Sequence, residues 1–222
     1  QEHFFQFKKN GLNGIEHDTI NHHREFLPRT SALHITSYAT IYEIGWSIDN
    51  NWMNDNYGIG NFSPKLHVAV IDPLTLEPWY TKYTYTSPPS VVNPDHDFGN
   101  NNNDANSWWA RPMNIFTFLH NDAAQLSAFQ NLILNEVPDS HYIIIYSPIT
   151  TYQTWDALDS ANMYNIFSGL GSDSIYAGRP NKAFAFFCKK GDPSSVREIV
   201  QQGTEFISID DTIVGSLYEG VE

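Results

Sequence analysis

The sequence predicts an α+β fold, an antiparallel or mixed β-sandwich-like core with about three helices in the C-terminal half. Three observations predict it. Alternating apolar and polar residues, the mark of half-buried strands, dominate the first half. From Asn121 to Gln202 the text instead switches between helical spacing and short continuous apolar runs, with start and stop signals at the junctions. Strands crowding one half and helices the other fit an α+β sandwich better than a doubly wound parallel sheet.

Residues 1 to 32 mix Phe4, Phe5 and Phe7 with the histidines His17, His22 and His23 and keep no period, so they read as an extended lead-in. Leu33, Ile35, Tyr38, Ile41, Ile44, Trp46 and Ile48 alternate with small or polar residues and predict strands. Asn50 to Pro64 is a loop rich in Asn and Gly. Leu66 to Ile71 and Trp79 to Thr86 read as two strands of a hairpin turning at Asp72 to Pro78. Ser87 to Asn106 is then a long polar excursion with Pro88, Pro89, Pro94 and four consecutive asparagines. A stretch of that kind carries function or mobility.

Asn121 and Asp122 can cap a helix whose Leu126, Phe129, Ile133 and Val137 recur at helical spacing until Pro138. Tyr142 to Tyr146 is a β-branched and aromatic run of the kind a sheet buries on both faces. A second helix is expected from about Trp155 to Leu170, with Gly171 at its left-handed cap, followed by a buried strand from Ala183 to Cys188. Asp192 and Pro193 open an expected third helix, with Val196, Ile199 and Val200 on its apolar face and Gly203 after it. Phe206 to Ile209 returns to strand alternation, and Thr212 to Glu222 is strand-like text leading on toward a linker or another domain.

With 222 residues the chain can bury a sizeable core. Twelve basic against 25 acidic residues give a formal charge of -13, which repels a phosphate backbone and argues against nucleic acid and anionic lipid as partners. No apolar run is long enough to enter a membrane as a helix. Charged residues are only 17%, so Asn, Ser and Thr supply much of the polar surface, a tendency of extracellular proteins. The single cysteine, Cys188, excludes an internal disulfide and shares a strand face with Phe184 and Phe186. It reads as a buried structural thiol, with a reactive thiol the alternative.

Several constellations could carry chemistry. Asp95, Asp97, Asn100, Asn103, Asp104 and Asn106 crowd oxygen donors into one loop, but Gly99 falls one place early for an EF-hand and no acid closes it. A solvated insertion without a cofactor is the expectation, and a Ca²⁺ site the alternative. Adjacent His22 and His23 cannot chelate one metal from the same element face, and the other histidines are scattered. No nucleophile elbow or Gly-rich phosphate loop is present. Aromatic residues are the richer signal: Trp108 and Trp109 stand in polar text, while Trp46, Trp52, Tyr57 and Trp79 border loops. Flat rings among Asn, Asp and Arg suit a sugar, whereas capping of the sandwich core is the plainer role.

The order of elements and the wording of their junctions resemble the interleukin-like domain of the ILEI/PANDER superfamily, also found as the stem domain of a protein O-mannose N-acetylglucosaminyltransferase. The resemblance covers roughly residues 33 to 203. It rests on the strand and turn Leu66 to Pro73, the helix end Asn135 to Asp139, Leu170-Gly171-Ser172 and the loop Gly178-Arg179-Pro180-Asn181. The aromatic strand running into Lys190-Gly191 completes it. It implies an interleukin-like α+β domain over 33–210, after the lead-in 1–32 and before a linker or next domain at 211–222. It further implies a non-catalytic accessory module of a larger extracellular or cell-surface protein, of the kind found in large secreted bacterial proteins associated with gingipain-like peptidases. Carbohydrate binding in the stem domain implies a ligand patch at Arg179 and Asn181, with Trp155 beside it and Trp108 and Trp109 as stacking candidates. Lys182 stands where the family has a tryptophan, and Gln153 and Thr154 where it has acidic residues. Arg179 in a salt bridge with Asp156 or Asp173 is the structural alternative. The partner expected is a glycan or a protein, beside other domains of the same chain, and the rival function is a cysteine-dependent hydrolase or part of a secreted peptidase.

Overall fold

The computed structural model describes residues 15–18, 23–26, 29–37, 45–53, 65–80, 83–86, 89–92, 98, 114–119, 122–147, 157–175, 182–203 and 205–215. Two short hairpins pair β1 (Ile15–Asp18) with β2 (His23–Phe26) and β7 (Tyr83–Thr86) with β8 (Pro89–Val92). A four-stranded antiparallel sheet has the order β13-β3-β4-β5, from β3 (Thr30–Ser37), β4 (Gly45–Ile48), β5 (Asn51–Trp52) and β13 (Ile207–Val214). A five-stranded antiparallel sheet has the order β12-β11-β10-β6-β9. Its strands are β6 (Lys65–Ile71), β9 (Phe116–Leu119), β10 (Tyr142–Ser147), β11 (Phe184–Lys189) and β12 (Asp192–Val200). Helix α1 (Ala123–Asn131), extended by a π turn over Leu132–Glu136, and helix α2 (Ala157–Gly169) complete the fold.

The continuous apolar runs now have their cause. Tyr142, Ile144 and Tyr146 of β10, with Ala69, Ile71, Ala185 and Phe187, pack against Leu33, Ile35, Trp46 and Ile209 of the four-stranded sheet. Ile143 and Ile145 point the other way, with Val68, Val70, Phe184 and Phe186, onto Phe129 and Ile133 of the first helical segment and Ile166 and Phe167 of α2. The molecule is therefore layered sheet on sheet on helices, and the middle sheet has no wet face at its centre. Hydroxyls tie the two sheets together: Ser37 Oγ donates to Ser147 O at 2.9 Å, and Tyr142 Oη donates to Val214 O at 2.8 Å while accepting from Val214 N at 3.0 Å.

The helix starting at Asp122 is as expected. Its Oδ1 accepts from Ala124 N at 2.9 Å and Gln125 N at 3.1 Å, satisfying two orphan donors of the first turn. The expected third helix is instead β12. Lys190 and Gly191 form a two-residue turn, with Gly191 at φ +85°, so β12 folds straight back on β11. Pro193 lies on the sheet edge, where its missing N–H costs no ladder bond. Ser195 Oγ accepts from Lys189 N at 2.7 Å across the irregular register there. Val196 and Val200 pack toward the helices and Ile199 toward the other sheet, a strand alternation that a three-residue apolar set also fits as a helix stripe.

Two further expectations change, for the hairpin at Asp72 and for the polar excursion. The turn at Asp72 is closed by Trp79 N donating to Val70 O at 2.8 Å and by an Ile71–Pro78 bridge, but Tyr83–Thr86 pairs with Pro89–Val92 rather than with β6. That pairing makes part of the polar excursion a strand, and Phe98 within it packs on Phe116 with ring centroids 5.6 Å apart. The lead-in holds the β1–β2 hairpin, and the pairing of β3 with β13 takes in residues 30–32 and 211–214.

Candidate binding surfaces

Arg179, Asn181, Trp155, Trp108 and Trp109 lie outside the described residues, as does the Asn- and Asp-rich loop except Phe98. The structure does describe both ends of the segment 176–181. Helix α2 stops where Gly171 takes φ +93° and Ser172 N donates back to Phe167 O at 2.8 Å. A Cβ on Gly171 would also lie 3.1 Å from the Pro193 side chain, so glycine lets β12 approach closely. The following turn converges on Glu198 of β12. Its Oε1 accepts from Asp173 N at 2.8 Å, Ser174 N at 2.9 Å and Ser174 Oγ at 2.6 Å. Its Oε2 accepts from Ser172 Oγ at 2.5 Å and Ile175 N at 3.3 Å.

Burial raises the Glu198 pKa, but these bonds, led by the Ser172 and Ser174 hydroxyls, outweigh it and hold the carboxyl below its usual range. The turn is an anion nest filled by the chain's own carboxylate. At the other end Lys182 Nζ donates to Gln202 O at 2.7 Å, and Ala183 O accepts from Gln201 N at 2.9 Å. Lys182, the residue in place of the family's tryptophan, thus has an anchoring role. Asp173, one of the suggested salt-bridge partners of Arg179, forms no ion pair among the described residues, and its backbone N–H serves Glu198 instead.

A second surface lies on the outer face of the four-stranded sheet. Register places Asp210, His34, Ser47 and Trp52 in one row across β13, β3, β4 and β5. His34 Nδ1 is 2.6 Å from Asp210 Oδ1. Because an ionised carboxylate only accepts, Nδ1 is the donor in this bond. The Trp52 ring lies nearly perpendicular to His34, 6.1 Å between centroids, and Ser47, buried opposite both, is small enough to allow that approach. Trp52 is 53% exposed and the Asp210 side chain 74%. The Asp49-Asn50 turn, with φ of 50° and 64°, is the tight hairpin that sets Trp52 at the sheet edge.

Trp52 is visible in the sequence as a loop-border aromatic. His34, Asp210 and Glu198 are not, since each is only an outward or polar position in a strand.

Cys188 is buried on the helix side. Burial pushes its thiol up to about 12, Asp192 adds to that, and Lys190 opposes it without prevailing. Lys190 Nζ itself donates to Ile133 O at 2.8 Å, Leu134 O at 3.2 Å and Val137 O at 2.5 Å, capping the carbonyl end of the π turn. His67 is buried, 3.3 Å from Thr117 Oγ1 and stacked on Tyr146. Among the described residues no group of three His, Cys, Asp or Glu side chains converges as a metal site, and no helix is long and apolar enough to cross a membrane. No protein-family model matches the chain and no curated protein matches it significantly, so its chemistry rests on this geometry.

Proposed function

We propose that this chain is a non-catalytic interaction module, an accessory domain of a larger extracellular or cell-surface protein that binds a glycan or a protein partner at the loop carrying Arg179 and Asn181. The observation that carries this reading is the pair of anchors at the loop's two ends, the Glu198 nest at 172–175 and the Lys182 to Gln202 bond. A loop held at both ends by a rigid scaffold is where binding residues concentrate, and the arginine fork suits a polar or acidic ligand. Its likeness to the interleukin-like domain supports the same choice. The burial of Cys188 weighs against the cysteine-dependent hydrolase.

Arg179→Ala tests the proposal on a glycan array and in capture of protein partners, with a melting curve beside it. Lost binding with unchanged melting is the expected result. Destabilisation, with no ligand captured by the parent protein, would make Arg179 scaffold and end the proposal.

A further inference from the structure

Strands β12 and β13 are the edges of the two sheets on one side of the sandwich, and among the described residues neither pairs with a strand on its outer side. An open edge is a row of backbone donors and acceptors that another chain can extend. Alternation along each strand tells which residues present that row. Gln201 N donates to Ala183 O and Gly215 N to Arg29 O, so every second residue back from these two faces the neighbouring strand. The residues between, Val196 to Val200 and Ser208 to Val214 in steps of two, face out.

Side chains occupy much of that row. Arg197 Nη1 donates to Val196 O at 2.9 Å and to Ser194 O at 3.4 Å, and Gln202 Nε2 donates to Val200 O at 3.1 Å. On β13 the Asp211 Oδ1 accepts from Thr212 N at 2.7 Å, and Tyr142 Oη holds both backbone groups of Val214. Arg197 Nε and Asp211 Oδ2 then meet at 3.1 Å across the gap between the sheets, on the faces that carry Ile199, Ile209 and Ile213. One charged pair thus caps carbonyls on one edge and an amide on the other.

We infer that Arg197 and Asp211 guard these edges, keeping the folded chain from adding strand to strand to a second copy of itself. With side chains 50% and 22% exposed, the pair contributes little to stability as an ion pair, whereas it sits on the very groups a further strand needs. The contact it prevents is head to tail, β12 of one copy on β13 of the next. A symmetric pairing about Glu198 or Asp210 is already disfavoured, because it sets like carboxylates opposite each other.

The test is sedimentation of the full chain from micromolar to hundreds of micromolar concentration, with near-UV circular dichroism and amide exchange on the same samples. Arg197→Met keeps the aliphatic stem without the donors, and Asp211→Ala removes the acceptor. Each should strengthen self-association about tenfold or more over the parent, with the amides of Val196, Glu198, Asp210 and Thr212 gaining protection as concentration rises. Asp211→Asn changes the charge as Asp211→Ala does but keeps an oxygen for Thr212 N, so it should stay close to the parent. If either folded variant sediments as the parent does, or Asp211→Asn associates as strongly as Asp211→Ala, the inference is overturned. It is also overturned by protection that appears only away from the two edges, or by association confined to chains that have lost their near-UV signal.

Discussion

The two sheets differ in how many faces they bury, and their polar residues differ accordingly. At the centre of the five-stranded sheet both faces are apolar, and the polar groups at its margins are spent on the fold. Lys190 caps carbonyls, Glu198 fills a nest, and Cys188 is sealed with a raised pKa. The four-stranded sheet buries Leu33, Ile35 and Ile209 on one side and leaves His34, Asp210 and Trp52 reachable on the other. Groups in the middle sheet can be changed only at the expense of stability, whereas the exposed groups of the outer sheet face can be changed with little effect on it. The experiments that test this contrast are mutations that rank the buried and half-buried groups by what their loss costs.

The largest effect is expected at Phe186, fully buried between Phe167 and the rest of the helix-side core, its ring 5.5 Å from that of Phe167. Phe186→Ala removes the ring and leaves a cavity that close-packed neighbours fill only in part, costing about 3 to 5 kcal/mol in denaturant unfolding. A cost below about 1 kcal/mol would mean that the helix layer is not packed on β11, and the contrast between the sheets would collapse.

Lys190 comes next. Lys190→Met keeps the aliphatic stem but deprives the carbonyls of Ile133, Leu134 and Val137 of their donor. Partial access to water softens the loss, so about 1 to 2 kcal/mol is expected, with faster amide exchange over residues 132–137. Unchanged exchange there would show that water serves those carbonyls as well as the ammonium does.

How much of this was legible follows the same division. The twice-buried strands announced themselves, because a strand with no wet face must be apolar throughout, as Tyr142 to Tyr146 and Ala183 to Cys188 are. Asp122 was legible because a cap acts on its own neighbours in sequence. Strand β12 was not, since Asp192-Pro193 opens an Asx turn on an edge strand as readily as a helix. Asp192 Oδ1 accepts from Ser194 N at 3.0 Å. Phe98 was missed because one aromatic in polar text has no period. The outer row depends on His34 meeting Asp210 across 176 residues of chain, a register that local pattern does not contain. Glu198 is separated from its serines by a whole strand and turn.

The smallest expected stability effect belongs to Glu198, and it depends on pH. Its folded pKa is lowered, so its contribution to stability is fully present above the unfolded value near 4.5 and is lost as pH falls through the folded pKa. Glu198→Gln keeps the shape but replaces one acceptor oxygen with a donor facing the N–H groups of Asp173 and Ser174 or the serine hydroxyls. Because the residue is only half-buried, solvent screening holds the cost at neutral pH to about 1 kcal/mol. The parent minus variant difference should shrink as pH drops below about 4.5, when the parent's carboxyl is itself protonated. A difference that stays constant down to the acid limit would mean that the carboxylate charge contributes nothing. The nest at 172–175 would then be held by packing against Pro193 and Val196, and the anchor proposed for the Arg179 loop would lose its electrostatic basis.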